Sequence, residues 1–364
     1  MSEHLSRRGL LALSAALAVA PAVAAGAAAP PSEPIRLSMN ENPFGPSPRA
    51  VEAIRAHLSG LYRYVGDEAK TLTETIARLE GVAPEQVVLG EVLNGLGLVL
   101  AASGGDRREF IYTEPGYTAL VDAVAPAGGT VTGIPLDKDL RNDLPAIARA
   151  ITSRTRAVYL VNPHNPTGTV SEGQPFLDFV REISRKAPVI VDEAYLEFLP
   201  DFAARTTARL TRENEQVIVF RTFAKIFGLA GLGMGYALLP RDLAQTFLKA
   251  GFGAAPTLNR LGLVAAAASL TDTDHVATVR GKVAEERQRW HQFLGGLNRK
   301  FADARGNFIF FETGKPYAEV AKGFADRGVL VGKGYAAYDE WVRITIGLPA
   351  ENEAARAALK QILT

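Results

Sequence analysis

The chain has 364 residues, of which 47% are hydrophobic, and its formal net charge at pH 7 is +1. This length and composition allow a large buried core in one big domain or in two ordinary ones, which argues against intrinsic disorder. The balanced charge argues against nucleic acid or an anionic membrane as a partner, the lack of cysteine excludes disulfides and a catalytic thiol, and the five scattered histidines predict no metal site.

The first 29 residues have the pattern of a signal peptide. Arg7 and Arg8 precede an apolar run that ends near Ala20, and small residues follow as far as Ala29. The run is too short and too rich in alanine to favour a membrane span, and the paired arginines resemble the twin-arginine export signal. We therefore expect a periplasmic protein that is not attached to a membrane after cleavage. An uncleaved anchor is the alternative interpretation.

Short apolar runs, bounded by glycine, proline or polar residues, recur along the rest of the chain and predict buried strands. In chain order, these runs are 87–89, 110–112, 157–161, 189–191, 217–220 and 235–239. Longer stretches typical of helices lie between several of them, such as Leu93–Ala102 and Pro175–Lys186. This alternation predicts an α/β fold with a mostly parallel sheet that is covered on both faces.

The pattern changes in the last quarter of the chain. A long helical stretch runs from Asp274 to about Arg299, and two more strands are predicted at 307–311 and 341–346. This change favours a second, smaller C-terminal domain.

Polar residues follow three of the predicted strands. Asn165 comes after the run 157–161, Asp192 and Tyr195 after 189–191, and Thr222 and Lys225 after 217–220; these five are the candidate site residues. Each alone has an ordinary explanation, such as a turn, a helix cap or a solvated lysine. Because ligands of such sheets bind at the carboxyl ends of the strands, the five together predict one site.

These side chains match the needs of an enzyme that uses pyridoxal 5′-phosphate (PLP). A lysine amine can form a Schiff base with the cofactor aldehyde and can later move a proton from the substrate Cα. A carboxylate beside the pyridine nitrogen keeps that nitrogen protonated, so the ring can accept electrons. An amide and a phenol can donate to the ring's phenolate oxygen. Lys225, Asp192, Asn165 and Tyr195 meet these needs.

The same residues resemble the signature of the fold-type I aminotransferases of class I/II. The motifs that carry the resemblance are Asn165-Pro166-Thr167-Gly168, Asp192-Glu193-Ala194-Tyr195 and Thr222-Phe223-Ala224-Lys225. Within that family the chain is most similar to histidinol-phosphate aminotransferases, on the basis of residues 37–45 (LSMNENPFG), the pair Arg63-Tyr64 and residues 342–347 (VRITIG). The resemblance extends from about Arg36 to the C-terminus.

The resemblance implies a PLP-transferase fold of type I, with a large domain around a mostly parallel sheet and a smaller C-terminal α+β domain. The implied division is a signal peptide at 1–29, an N-terminal arm joining the small domain at 30–59, a large PLP-binding domain at 60–255 and a small domain at 256–364. The implied activity is transfer of an amino group between an amino acid and a 2-oxo acid, in a homodimer.

The resemblance also implies roles for individual residues around the cofactor. Lys225 would carry the cofactor as a Schiff base, Asp192 would pair with the pyridine nitrogen, and Asn165 and Tyr195 would donate to the phenolate oxygen. Tyr117 would stack on the ring.

Further residues are implied at the phosphate and at the substrate. Leu93, Asn94 and Thr222 fall at the cofactor phosphate, and Tyr64 would reach the phosphate of the neighbouring subunit. Arg343 would bind the substrate carboxylate through two parallel hydrogen bonds, with Asn42 nearby.

Two regions depart from the family pattern, and both concern anions. The cofactor phosphate usually lies against small residues at a helix N-terminus, where this chain has Gly90-Glu91-Val92-Leu93. Gly233 stands in place of a phosphate-binding arginine, eight residues after Lys225. Gly332 stands at or near an arginine typical of histidinol-phosphate enzymes, which weakens the case for a phosphorylated substrate, although Lys333 could substitute in part. We therefore expect a weakened phosphate site.

Three functions stay open at this stage. The first is an aminotransferase that acts on a free amino acid outside the cytoplasm. The second is a different PLP reaction, namely decarboxylation, elimination or oxidation, because the same ring and lysine serve all of these. The third is a relative that binds a ligand without turnover. The sequence does not specify the amino acid.

Overall fold

The fold is organised around a central sheet of seven strands. The structure, a computed structural model, describes residues 33–171, 173–213 and 216–364, so the signal peptide predicted at 1–29 lies outside the described residues. The described strands are β1 Ile35–Leu37, β2 Val87–Leu89, β3 Glu109–Glu114, β4 Thr130–Pro135, β5 Thr155–Val161, β6 Val189–Asp192, β7 Val217–Thr222, β8 Gly235–Leu238, β9 Phe308–Glu312, β10 Val329–Val331 and β11 Trp341–Thr345.

The central sheet has the strand order β2-β8-β7-β6-β5-β3-β4. Its neighbours are parallel except around β8, which runs antiparallel to both β2 and β7. The predicted mostly parallel sheet is therefore confirmed. Strand β4 was not predicted, because it lies at the edge of the sheet and four of its six residues are exposed, so it lacks an apolar run.

The apolar runs form strands because both faces of the sheet are buried. Val189 and Val191 belong to the hydrophobic cluster on one face, whereas Ile190 belongs to the cluster on the other face. Strand β7 divides in the same way, with Val217 opposed to Ile218. Successive side chains of a strand point to opposite faces, so an unbroken apolar run fills both cores at once.

Helices cover the sheet and build the rest of the fold. They are α1 Pro48–His57, α2 Asp67–Glu80, α3 Leu93–Ala102, α4 Ala119–Asp122, α5 Leu144–Ala150, α6 Gly173–Ser184, α7 Phe202–Arg205, α8 Ala208–Arg212, α9 Arg241–Lys249, α10 Arg260–Leu270, α11 Thr273–Gly296, α12 Tyr317–Ala325 and α13 Pro349–Leu363. Several begin at a side chain that accepts a backbone N–H, as Ser47 does for α1 and Asn259 for α10. In the part of the chain that the structure describes, no helix has the length and apolar character needed to cross a membrane.

The N-terminal segment lies against the C-terminal region. Strand β1 pairs in parallel with β10, and Asn307, just before β9, donates its amide to the backbone oxygens of Asn40 (3.0 Å) and Glu41 (3.1 Å). Strands β9 and β11, the two strands predicted in the last quarter of the chain, form an antiparallel pair. These contacts hold residues 35–41 beside β11. The domain boundaries at 59/60 and 255/256 stay predictions.

Candidate active site

Polar residues that follow the neighbouring strands β5, β6 and β7 line one cavity of about 640 Å³. The cavity includes all five residues that the strand-end argument selected, which are Asn165, Asp192, Tyr195, Thr222 and Lys225. They meet because β5, β6 and β7 are adjacent and parallel, so their carboxyl ends lie at the same edge of the sheet.

Asp192 ends strand β6 and is buried, with two hydrogen bonds that fix its carboxylate. Its Oδ1 accepts the N–H of Ala194 at 3.0 Å, and its Oδ2 accepts the hydroxyl of Tyr159 at 3.0 Å. Burial raises the pKa of Asp192 to about 6, while these two donors and the charge of Lys225 lower it. A cation placed beside this carboxylate would favour its ionised form.

Tyr195 receives two amide donors at its phenol oxygen. The Nδ2 of Asn40 donates at 3.0 Å, and the Nδ2 of Asn165 donates at 3.5 Å. Because both neighbours donate, the hydrogen of the phenol is left to point at an acceptor in the cavity. Phe308 packs edge-on against the Tyr195 ring at 5.0 Å between centroids, which holds the ring in place.

Lys225 lies on the loop that follows β7 and lines the cavity. Its Nζ is 3.5 Å from the backbone oxygen of Met39 and 5.7 Å from the centroid of the Tyr195 ring. Tyr117 also lines the cavity, and burial together with the nearby charge of Asp192 raises its pKa to about 12. Tyr117 therefore stays a neutral aromatic face at ordinary pH.

Arg343, on β11, is buried and joins the small C-terminal sheet to the cavity. Its Nη1 donates to Oδ1 of Asn165 at 2.6 Å, and its Nη2 donates to the backbone oxygen of Ser38 at 2.8 Å. These contacts orient the guanidinium beside the polar residues of the large sheet. A Cβ at Gly332 would lie 2.9 Å from Nε of Arg343. The glycine at 332 therefore leaves the space that the Arg343 side chain occupies. From the sequence alone, Gly332 was recognised only as the loss of an arginine.

The other end of the cavity carries a carboxylate where the phosphate was expected. Glu91 lines the cavity and accepts the hydroxyl of Thr222 at 2.8 Å. Loss of hydration raises the pKa of Glu91, while Thr222 and the charge of Lys225 lower it. Leu93 begins helix α3 and lines the cavity. Gly233 also lines the cavity; its φ is +53°, and its surroundings are open where the family pattern has an arginine side chain.

Two predicted site residues lie outside this lining. The amide of Asn42 donates to the backbone oxygen of Ile226 at 2.8 Å, and its Oδ1 accepts the N–H of Phe44 at 3.0 Å. The polar atoms of Asn42 therefore fix the N-terminal segment, and its predicted contact with the substrate stays a prediction. Asn94 is an exposed residue of the first turn of α3 and is also absent from the lining.

Asn40, which was not among the predicted site residues, lines the cavity. Its backbone N–H donates to Oγ1 of Thr345 at 2.9 Å, and its Oδ1 accepts the Thr345 hydroxyl at 3.2 Å. Sequence reasoning missed Asn40 because the segment Asn40-Glu41-Asn42 offers two asparagines two residues apart, and only contacts with the C-terminal region choose between them. Lys333 and Tyr335 also line the cavity, with the Lys333 Nζ 5.6 Å from the ring centroid.

Tyr64 is 85% exposed, and its backbone oxygen accepts a hydrogen bond from Arg260 at 3.1 Å. Since its predicted contact lies in a second subunit, that role stays a prediction.

Known proteins are similar to this chain over most of its length. The family model described as "Aminotransferase class I and II" matches residues 32–359. An aromatic amino acid aminotransferase from Cutibacterium acnes is 35% identical over 332 residues, which cover 90% of this chain and 92% of the relative. A histidinol-phosphate aminotransferase from Akkermansia muciniphila is 35% identical over 343 residues, covering 92% and 91%. A crystal structure of the histidinol-phosphate aminotransferase from Sinorhizobium meliloti in complex with pyridoxal 5′-phosphate has a TM-score of 0.82 and 28% identity, covering 91% of each chain.

Proposed function

Since the chain belongs to the class I and II aminotransferases, we propose that the cavity between the central sheet and β11 is where it moves an amino group between an amino acid and a 2-oxo acid. The chain is a PLP-dependent transaminase by family. The observation that carries the site assignment is that Asp192, Tyr195, Asn165 and Lys225 line the same cavity as Arg343.

The donors and acceptors at one end of the cavity fit the ring of PLP. The Asp192 carboxylate, held by Ala194 and Tyr159, would accept the pyridine N–H. The phenol of Tyr195 has its hydrogen available for the phenolate oxygen. When bound, PLP supplies an aldehyde that captures amines and a protonated ring that accepts electrons from the substrate Cα.

Lys225 and Arg343 then divide the remaining work. The amine of Lys225 is the base for the proton on the substrate Cα, because it is the lysine nearest to Asp192 and Tyr195 in the cavity. The guanidinium of Arg343, already oriented by Asn165 and Ser38, binds the substrate carboxylate. We propose a free amino acid as the substrate, since the space at Gly332 is filled by Arg343 and holds no second arginine.

Product analysis tests this proposal. The purified protein with PLP, an amino acid and a 2-oxo acid should yield the matching new 2-oxo acid and new amino acid in equal amounts. Release of carbon dioxide or ammonia without a new amino acid would instead support the other PLP reactions. No product with any of a panel of amino acids, aromatic ones included, would support the relative that binds without turnover.

Three finer points belong to the same proposal. Export by the twin-arginine route into the periplasm is supported by Arg7, Arg8 and the apolar run that follows them. A homodimer is supported by four exposed apolar side chains in one short segment, which are Leu58, Leu61, Tyr62 and Tyr64. The division into an arm at 30–59, a large domain at 60–255 and a small domain at 256–364 is supported by the pairing of β1 with β10.

A further inference from the structure

Each end of the cavity presents a carboxylate, Asp192 at one end and Glu91 at the other. The ring end carries Asp192, Tyr195 and Asn165, which match a pyridine ring. At the other end, Glu91 stands in the stretch that the family resemblance assigns to the cofactor phosphate, and its carboxylate accepts the Thr222 hydroxyl at 2.8 Å. Thr222 is the hydroxyl donor that the family pattern reserves for the phosphate, so this donor is already engaged by an anion of the protein.

Among the described residues of the lining, no cation forms an ion pair with Glu91, although the nearby charge of Lys225 lowers its pKa. Of the described residues that line the cavity, the cationic ones are Lys225, Lys333 and Arg343. Arg343 is bound to Asn165 and Ser38, and Lys333 lies over the ring of Tyr335. Lys225 lies by Met39 and Tyr195, and it is the amine required by the cofactor aldehyde.

The backbone at this end is less suited to a phosphate than a small-residue turn would be. Helix α3 begins at Leu93, so its first N–H groups lack partners within the helix and favour an anion. Glu91 stands two residues before that helix, and the buried side chains of Val92 and Leu93 replace small residues. Gly233 has no side chain, and the space beside it is open, since a Cβ there would meet nothing within 4 Å.

We propose that Glu91 determines which 5′ substituent of the cofactor this cavity accepts, weakening the hold on a phosphate ester and favouring a neutral hydroxymethyl group. The inference rests on the proposed function and concerns only the end of the cavity that Glu91 and Thr222 line. A phosphate monoester carries a charge of about −1.5 to −2 at pH 7 and is repelled by an ionised carboxylate. A hydroxymethyl group is neutral and can donate a charge-assisted hydrogen bond to Glu91. The unphosphorylated form of the cofactor therefore competes with PLP here, and PLP is held mainly by its ring.

Binding of a matched ligand pair tests the proposal. Pyridoxamine 5′-phosphate and pyridoxamine differ only in the phosphate, and neither has an aldehyde that reacts with Lys225. Isothermal titration of cofactor-free protein at pH 8 measures both affinities without any turnover. For the wild-type protein, we expect the phosphate to improve the affinity by less than about tenfold, far below what several charge-assisted hydrogen bonds supply.

A carboxamide variant of Glu91, with a matched variant of Glu41 as its control, isolates the effect of the Glu91 charge. Glu91→Gln keeps an oxygen that can accept the Thr222 hydroxyl, so the fold is retained and only the charge is lost. We expect it to bind pyridoxamine 5′-phosphate at least about tenfold more tightly, and pyridoxamine equally or more weakly. Glu41→Gln is the matched control, because Glu41 also lines the cavity but is paired with Arg36 at 2.8 Å. It should leave the ratio of the two affinities within about threefold of wild type.

Three outcomes would overturn the proposal. They are a wild-type preference for the phosphorylated ligand of a hundredfold or more, an unchanged ratio in Glu91→Gln, and an equal change in Glu41→Gln. If Glu91→Gln does not fold, Glu91→Ser serves instead, with the same expected direction. Failure of the proposed function is separately visible: borohydride treatment with either PLP or pyridoxal, followed by mass spectrometry, should label Lys225. If both aldehydes label Lys225 and replacing Glu91 does not change the preference between them, this inference alone is rejected. If neither aldehyde labels Lys225, the proposed function is rejected.

Discussion

The hydroxyl of Tyr159 on β5 donates a hydrogen bond to Oδ2 of Asp192 on the neighbouring strand β6, at 3.0 Å. Both residues are buried, and the bond joins two parallel strands beside the cavity that Asp192 lines. It stabilises the ionised form of a carboxylate whose pKa burial would otherwise raise further. The contact therefore bears directly on how the site responds to pH.

We predict that Tyr159→Phe moves the acid limit of cofactor binding to higher pH. Burial raises the pKa of Asp192 to about 6 in the folded protein, so the carboxylate is lost as the pH falls through that value. Removing the Tyr159 donor raises the pKa further, by about one unit if the hydrogen bond contributes about 1.5 kcal/mol. Titration of pyridoxamine 5′-phosphate binding from pH 5 to 9 measures the shift. An acid limb at the wild-type position would remove Tyr159 from this role.

Lys225→Ala should abolish turnover and the borohydride-stable adduct while the protein remains folded. The reason is that Lys225 supplies the only primary amine that the cavity brings close to Tyr195 and Asp192 among its described residues. Mass spectrometry after borohydride treatment measures the adduct. Lys333→Ala is the matched control, since Lys333 lines the same cavity but lies over Tyr335. An adduct that persists in Lys225→Ala and vanishes in Lys333→Ala would exchange their roles.

Gly332→Ala should raise KM for the amino acid more than it lowers kcat. The added Cβ would lie 2.9 Å from Nε and 3.1 Å from Nη2 of Arg343, so the guanidinium must shift away from Asn165 and Ser38. Displacing the Arg343 guanidinium should cost about 1–2 kcal/mol of substrate binding, or roughly five- to thirtyfold in KM. Gly281→Ala is the control, because it lies in α11 with nothing within 4 Å of a Cβ. Unchanged kinetics in Gly332→Ala would show that Arg343 does not bind the substrate.

The mature protein should be a homodimer held in part by the segment 58–64. Tyr62 and Tyr64 are 78% and 85% exposed, so large apolar side chains close together in sequence lie open to solvent. Leu61→Glu should convert the protein to a monomer, since a charge buried in an interface is costly. Leu79→Glu is the matched control, because Leu79 is 57% exposed and Leu61 is 56% exposed. Light scattering distinguishes the two masses, and a fully active wild-type monomer would contradict this prediction.

Export should depend on Arg7 and Arg8. Replacing both by lysine keeps the positive charge but removes the guanidinium pair of the twin-arginine signal, so precursor should accumulate in the cytoplasm. Fractionation followed by immunoblotting measures the distribution. A single Arg8→Lys variant is the milder comparison. Efficient export of the double variant would assign the leader to the general secretory route instead.

The sequence alone predicted six of the seven strands of the central sheet, and it selected five residues that line the cavity. Strands buried on both faces need apolar residues at every position, so β2, β5, β6, β7 and β8 are visible as unbroken runs. The candidate site residues Asn165, Asp192 and Lys225 follow those runs within five residues, and they meet because parallel strands deliver their carboxyl ends to one edge. Where a strand is exposed, as at β4, the pattern fades and the prediction fails.

Only the tertiary structure decided which residues complete the cavity from distant parts of the chain. Asn40 rather than Asn42 reaches Tyr195 because Thr345, 305 positions away, and Asn307 fix the backbone at that point. Gly332 became intelligible once Arg343 was found in the space beside it. Glu91 was visible in the sequence as a nearby negative charge, but its hydrogen bond to Thr222 depends on β2 and β7 both flanking β8. Periodicity and motifs record local geometry, whereas these choices depend on packing between segments far apart in sequence, where only the folded backbone sets the distances.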